Sequence, residues 1–311
     1  MELYKLKNKK LKEVEKVPFK DEREIQNLVE DNLEELFGLE LISSEFRIND
    51  FRLDTIGFNK EYNSFTIVEY KKGSSYSVID QGYSYLSVML DNKSDFLLEY
   101  NQRTKSHLKK DDIDWSQSRI IFISPSFNTY QKNSVNFQGI PFELWEIKKY
   151  SDSTISLSEQ LPTSKQNIEK LGGKISTMKS VLSEVKVYEE DDMFKSKDIK
   201  VRELYNELKE RLIDWEDVVF HPTHSGYISV KKNKKVKIYI NVFKNKLRLD
   251  FYSRSDFSGK VKSVKKRFIL DDPKKLFKMF KSDYKEVYEC VIRDNKNLDY
   301  IVLMLKQKFD S

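Results

Sequence analysis

Cysteine is nearly absent from this chain: of 311 residues only Cys290 carries a thiol. A single cysteine excludes an internal disulfide framework and a zinc site built on cysteine pairs. Cys290 lies in the apolar stretch VYECVI and reads as a small core residue. Histidine is scarce as well, at 3 residues, and the pair His221 and His224 has no carboxylate or cysteine beside it to complete a metal site. Glycine (9) and proline (6) are few, which leaves most of the chain free to enter regular structure. No apolar run approaches the ~18 residues of a membrane span. The N-terminal MELYKLKNKKLKEVEK lacks the apolar stretch that a secretory signal needs behind its charges. Gly172-Gly173 is not followed by the Lys-Ser/Thr of a phosphate-cradling loop. Together these absences point to a cytoplasmic protein with no membrane partner.

Charge is what the chain has in abundance. Charged residues make up 34%, beside 39% hydrophobic and 13% aromatic, so a sizeable core sits under a strongly polar surface. The net charge of +6 is divided unevenly. Residues 1–150 hold 22 Lys and Arg against 25 Asp and Glu, net −3, whereas residues 151–311 hold 34 against 25, net +9. Such asymmetry suits a polyanionic partner for the basic half.

The length allows two domains of roughly 100–200 residues. Within residues 1–150, Ile25, Leu28, Val29, Leu33, Leu36 and Phe37 recur at helical spacing over 21–37, and Gly38 ends that helix. Strands are expected at 41–48, 52–58 and 64–70, then a helix over 75–90 with Val78, Ile79, Gly82, Tyr85, Leu86 and Met89 inward. SDFLLEY reads as a further strand, followed by a polar loop and the strands RIIFIS and PFELWEI. This order implies an α/β layer around a central mixed sheet. Residues 151–197 turn polar and read as a linker that holds one helix. Residues 198–311 read as a smaller α+β domain: the amphipathic helix VRELYNELKERL, short strands, a basic loop, a strand at EVYECVI and the final helix LDYIVLMLKQKF.

The stretch FRLDTIGFNKEYNSFTIVEYKK holds the chemistry. With the turn centred between Glu61 and Tyr62, Phe58 faces Phe65, Ile56 faces Ile67, Asp54 faces Glu69 and Arg52 faces Lys71. One face of the hairpin therefore passes from apolar residues near the turn to four charges at its open end. Two opposed carboxylates on a half-buried sheet repel each other unless a cation intervenes, whether lysine, arginine or a divalent metal with hard oxygen ligands. At 100° per residue, Glu22 falls within about 20° of Val29 on the helical apolar stripe, which offers a third carboxylate if that helix packs on the hairpin. Glu30 is its substitute if the helix is phased differently. Gln81 and Tyr85 share one flank of the following helix. The bland alternative is a cross-strand salt-bridge ladder worth ~1 kcal/mol or less per pair.

This arrangement resembles the PD-(D/E)XK nuclease superfamily and its restriction-endonuclease-like core, a helix, a three-stranded meander, a helix and a further strand. The motif reads Asp54, then Glu69-Tyr70-Lys71, and Gln81 with Tyr85 is similar to the Q-x-x-x-Y extension of RecB-like branches. VEYKKGSSYSVIDQGYSYL looks closest to the NucS-like branch. Leu53 replaces the proline of the motif's name. More broadly the chain resembles an uncharacterised prokaryotic family sometimes labelled "predicted transport protein", whose C-terminal domain also accompanies restriction-type proteins. Transport sits poorly with a chain that has no membrane segment. The resemblance implies a metal-dependent nuclease acting on DNA, in defence or repair. Asp54, Glu69 and the Tyr70 carbonyl would hold Mg²⁺ or Mn²⁺, with Glu22 completing the outer sphere. Lys71 would act on the attacking water, and Gln81 would orient water or phosphate. Many nucleases of this kind are dimers, so a homodimer belongs to the expectation.

The basic half offers two clusters. KKNKKVK contains Lys231, Lys232, Lys234, Lys235 and Lys237, and KVKSVKKR contains Lys260, Lys262, Lys265, Lys266 and Arg267. A phosphate-binding surface is the sharper reading and solubilising edge protection the plainer one. The rivals to a nuclease are a non-catalytic nucleic-acid-binding protein of the same fold and a protein-interaction adaptor.

Overall fold

The structure is a computed structural model that describes residues 2–73, 78–134, 141–161, 176–223, 226–233, 235–255, 267–282 and 285–311. The chain starts with an exposed hairpin, β1 (Tyr4–Lys7) and β2 (Lys10–Glu13), turned on Asn8 and Lys9, both at positive φ. A short strand β3 (Lys16–Val17) follows. The stretch expected as one helix over 21–37 forms two, α1 (Glu22–Glu30) and α2 (Leu33–Phe37). Asp21 caps α1 by accepting the Glu24 amide at 2.8 Å. The break falls at Asp31-Asn32, where the Asn32 amide donates to the Leu28 carbonyl at 2.8 Å, a local bond that competes with helix continuation. Gly38 ends α2 in the left-handed region, φ 66°.

Three antiparallel strands come next: β4 (Glu40–Ile48), β5 (Phe51–Asn59) and β6 (Ser64–Tyr70). The turn between the last two is fixed by Asn59, whose side-chain oxygen accepts the amides of Glu61 (2.9 Å) and Tyr62 (3.0 Å). Its register pairs Phe58 with Phe65 and Ile56 with Ile67, the pairing read from the sequence. Helices α3 (Val78–Asp91) and α4 (Lys93–Thr104) follow. SDFLLEY, expected as a strand, is the centre of α4. Phe96 and Tyr100, four residues apart, are both buried, whereas Leu98 is 55% exposed, a helical and not a strand period. The unit is completed by β7 (Arg119–Ser124), α5 (Thr129–Ser134), β8 (Phe142–Tyr150), β9 (Ile155–Glu159) and α6 (Ser176–Glu184).

The strand order is β3-β8-β7-β6-β5-β4, with β9 also on β8. β6, β7 and β8 run parallel and the other pairs antiparallel, a mixed sheet. One face packs α3, α4 and α6 through Leu86, Met89, Phe96 and Val181 on Ile56, Phe65, Ile67, Phe122 and Leu144. Gly82 permits the closest approach: a Cβ there would lie 2.7 Å from the Phe142 ring. The other face packs α1 and α2 through Ile25, Val29 and Leu33 on Val68, Tyr70, Ile121 and Ile147. The sheet is thus covered on both sides, as parallel strands require. α6 lies in the stretch read as a linker, yet its Met178 and Val181 belong to this core.

The chain divides into two compact units, 1–187 and 188–311. The second contains α7 (Ile199–Ile213), then β10 (Val218–Pro222), β11 (Tyr227–Lys232), β12 (Lys235–Val242), β13 (Leu247–Ser255), β14 (Lys278–Lys281), β15 (Lys285–Ile292) and α8 (Leu298–Phe309). Its antiparallel sheet runs β10-β11-β12-β13-β15-β14. Leu204, Leu208, Ile301 and Leu305 of the two helices pack on Ile228, Ile240, Leu249 and Phe251 of the strands, an α+β layer. Cys290 is buried in that core. Among the described residues no helix is long and apolar enough to cross a membrane.

Candidate active site

At the open end of the β5–β6 hairpin, side chains take over from the backbone ladder, whose last pair there is Thr55 with Val68. The Asp54 amide donates to Glu69 Oε1 at 3.1 Å, and the Tyr70 amide donates to Asp54 Oδ2 at 3.1 Å. Each carboxylate is thereby clasped by the opposite strand. The other oxygen of Glu69, Oε2, accepts the Gln81 side-chain amide at 3.2 Å and lies 3.5 Å from Lys71 Nζ. Gln81 Nε2 also donates to the Tyr85 hydroxyl at 2.9 Å. α3 thus delivers Gln81 and Tyr85 one helical turn apart onto the face that carries Asp54 and Glu69.

Burial dominates the electrostatics. Glu69 is 1% exposed. Burial, and then the neighbouring Asp54 charge, push its carboxyl up to about 8, against the smaller opposing pull of Lys71. Asp54 is raised by burial too, with the Tyr70 amide pulling the other way. Tyr85 is raised by burial and by the Glu69 charge. One lysine does not neutralise two buried carboxylates, so the pair favours protonation or a further cation.

Glu22 is not where its helical phase suggested. It is the first residue of α1, exposed, and its Oε1 accepts the Lys72 amide at 2.8 Å. The helix that carries it packs on the Thr55, Val68 and Tyr70 side of the hairpin, opposite the side that bears Asp54 and Glu69. Glu30 also lies on that far side, hydrogen-bonded to the Thr55 hydroxyl and, at 2.9 Å, to the Gln26 amide. Sequence reasoning missed Gln26. It is 4% exposed, and its amide donates to Glu30, Ser44 (3.2 Å) and the Asp54 carbonyl (3.1 Å). Its signal was an uncharged amide between Ile25 and Val29 on the buried stripe. Arg52 forms a structural ion pair with Glu45, which Arg23 also reaches at 2.9 Å.

Among the described residues no group of three or more His, Cys, Asp and Glu side chains could hold a metal ion. Two carboxylates still suit Mg²⁺ or Mn²⁺, since Mg²⁺ usually keeps several waters and is held through one or two carboxylates plus substrate phosphate. The buried pair is undercompensated in charge, and on that chemistry the residues present fit such an ion. Of the basic cluster, Lys231 and Lys232 end β11 and Lys235 begins β12. Lys232 lies 3.7 Å from Asp310. Lys234, Lys260, Lys265 and Lys266 lie outside the described residues, as does His224.

No family model matches the chain. Over 321 aligned positions it is 35% identical to an uncharacterized protein of Haemophilus influenzae strain Rd, covering 99% of each. The chain belongs to the family of that protein. Solved structures overlap it only in part. A repair endonuclease from Pyrococcus abyssi aligns at 19% identity and TM-score 0.29 over 42% of this chain and 50% of that one. EndoMS in complex with double-stranded DNA aligns at 18% and 0.30, over 42% and 47%. SfsA of Pyrococcus furiosus with Ca²⁺ aligns at 16% and 0.25, over 45% and 62%. The chain spans about half the length of the two endonucleases.

Proposed function

We propose that the protein is a metal-dependent nuclease of the PD-(D/E)XK kind, hydrolysing DNA phosphodiesters with Mg²⁺ or Mn²⁺. The observation that carries this reading is the clasped Asp54–Glu69 pair with Lys71 and Gln81 gathered on the remaining Glu69 oxygen. Asp54 and Glu69, with the Tyr70 carbonyl, would hold the ion. Bound there, the ion supplies a Lewis acid for the scissile phosphate and lowers the pKa of water. Lys71, half-buried beside Glu69, stabilises negative charge that develops on the phosphate in the transition state. Gln81, held between Glu69 and Tyr85, orients the site's hydrogen-bonding groups. Burial and the Asp54 charge push the Glu69 carboxyl up to about 8, and an ion held there would favour its ionised form.

The second unit supplies the cationic anchoring in this reading, with Lys231, Lys232, Lys234, Lys235, Lys260, Lys265 and Lys266 meeting phosphates. The proposed compartment is the cytoplasm. The deciding experiment is cleavage of plasmid and single-stranded DNA by the full chain with Mg²⁺, Mn²⁺ or EDTA, beside Asp54→Asn. Metal-dependent cleavage that Asp54→Asn abolishes is expected; equal cleavage by the variant overturns the assignment. One observation favours a second reading. Glu22 is engaged with Lys72 and among the described residues no third carboxylate converges, as suits a nucleic-acid-binding protein that retains the fold without the chemistry. DNA binding with no cleavage under any metal would select it.

A further inference from the structure

A cleft of about 390 Å³ is lined by Lys16, Val17, Pro18, Phe19, Lys72, Pro125, Ile147, Lys148 and Lys149. Four of these are lysines and none is acidic. Its floor is apolar: Phe19 and Ile147 belong to the core on the α1 side of the sheet. Its place in the fold is informative. Lys72 and Pro125 follow the last residues of β6 and β7, and Ile147–Lys149 lies near the end of β8, so the cleft sits at the carboxyl ends of the three parallel strands. In open α/β sheets, ligands bind there.

The cleft's floor lies on the sheet face opposite Asp54 and Glu69, while one rim residue, Lys148, alternates onto their face at the strand ends. Lys72 is the next residue after Lys71. Lys148 lies 3.4 Å from Glu146, and Glu146 shares a strand face with Leu144, the face that carries Glu69. Lys149 is held by Glu24 at 2.5 Å and stands 5.9 Å from the centre of the Phe19 ring. An apolar floor under a lysine rim selects a flat apolar body joined to an anion, and the volume falls within the range of small-ligand sites.

We propose that this cleft is a nucleotide subsite for single-stranded DNA. It takes one unpaired base on the Phe19 side and the adjoining phosphates on Lys16 and Lys148. The subsite rests on the nuclease reading for its substrate and extends it: the strand that flanks the cleaved bond passes over the carboxyl ends of β6, β7 and β8. A paired base presents only its edge, so the cleft prefers a single strand over a duplex.

The test is fluorescence anisotropy of the full chain with a labelled 20-nucleotide oligothymidylate and with a blunt DNA duplex, across a salt series. Lys16→Ala/Lys148→Ala is compared with Lys12→Ala/Lys110→Ala, which removes two exposed lysines outside the cleft. Glu146 keeps Lys132 at 2.8 Å when Lys148 is lost, and melting temperature checks that both variants fold. The cleft variant is expected to bind the oligothymidylate about tenfold more weakly than the control. Its log–log salt slope should be flatter by roughly 1.4, two contacts at ~0.7 each on a single strand. Equal affinity and slope in the two variants overturns the subsite, as does wild-type protein that binds the duplex at least as tightly or binds neither probe at low salt. Binding through the cleft without metal-dependent cleavage keeps the subsite and overturns the nuclease reading. Cleavage with indifferent cleft lysines does the reverse.

Discussion

Two buried glutamates stand on the same face of the same sheet, and their surroundings differ. Glu146, on β8, lies 2.8 Å from Lys132 and 3.4 Å from Lys148 and also accepts the Phe127 amide, and these partners outweigh burial and hold its carboxyl below the usual range. Glu69, two strands away on β6, has Lys71 at 3.5 Å and Asp54 as a like-charged neighbour, and is pushed up to about 8. Glu146 is a completed ion-pair network. Glu69 has one lysine and a like-charged neighbour, the imbalance on which the proposed metal site rests.

Activity should separate them most. Glu69→Gln should cost cleavage on the order of 10³-fold, the scale of losing a main electrostatic group, whereas Glu146→Gln should cost less than about tenfold. Single-turnover cleavage of a labelled oligonucleotide reads both, and similar losses would erase the distinction.

Acid–base behaviour is next. In the unfolded chain Glu69 ionises near 4.5, and in the fold near 8. The native state therefore holds the extra proton between those values, and stability of the metal-free protein falls as pH rises through that window, by up to about 1.4 kcal/mol per pH unit. Denaturant titrations from pH 4.5 to 8 measure the slope. Glu69→Gln, which mimics the protonated acid, should flatten it. Glu146 works oppositely: its depressed pKa contributes stability that is present above the unfolded value and lost as pH falls through the folded one.

Stability at neutral pH gives a smaller contrast. Glu146→Gln leaves Lys132 and Lys148 without their shared carboxylate and should lower unfolding free energy by ~1–3 kcal/mol. Glu69→Gln should be neutral or stabilising in the absence of metal. The smallest effect belongs to the neighbouring cations. Mn²⁺ should raise the melting temperature of the wild type by linkage. Lys71→Ala should preserve that rise to within a few degrees, since an ammonium is not a ligand, and should nonetheless abolish cleavage. A variant that loses the thermal response would make Lys71 structural.

The hairpin was legible because its information is local: a polar turn and a strict period of two determine which residues oppose each other. Asp54 and Glu69 followed from that count, and Gln81 and Tyr85 from one helical turn. What local periodicity does not contain is the side of the sheet on which a helix lands. Glu22 shares the apolar stripe of α1 by angle, but α1 covers the Thr55 and Tyr70 face, and at the first turn the glutamate turns to the Lys72 amide. SDFLLEY was misread because a run of apolar residues hides its own period: only the burial of Phe96 and Tyr100, with Leu98 exposed, reveals the helix. The β1–β2 hairpin is exposed throughout, and its one apolar face is only Tyr4, Leu6 and Leu11, too short a stripe to mark it among the surrounding lysines.

The clasp at the end of β5 and β6 makes the chemistry of the site and the fraying of the strands a single event. The amides of Asp54 and Tyr70 exchange with solvent only when a carboxylate lets go. These two protons therefore work as clocks. Their deuterium uptake should report on the acids themselves, slowing when a cation fixes the carboxylates and quickening when a substitution shortens one of them. Amide replacements that keep the side-chain length are for this reason the informative variants, and alanine at position 54 would unzip what it was meant to probe.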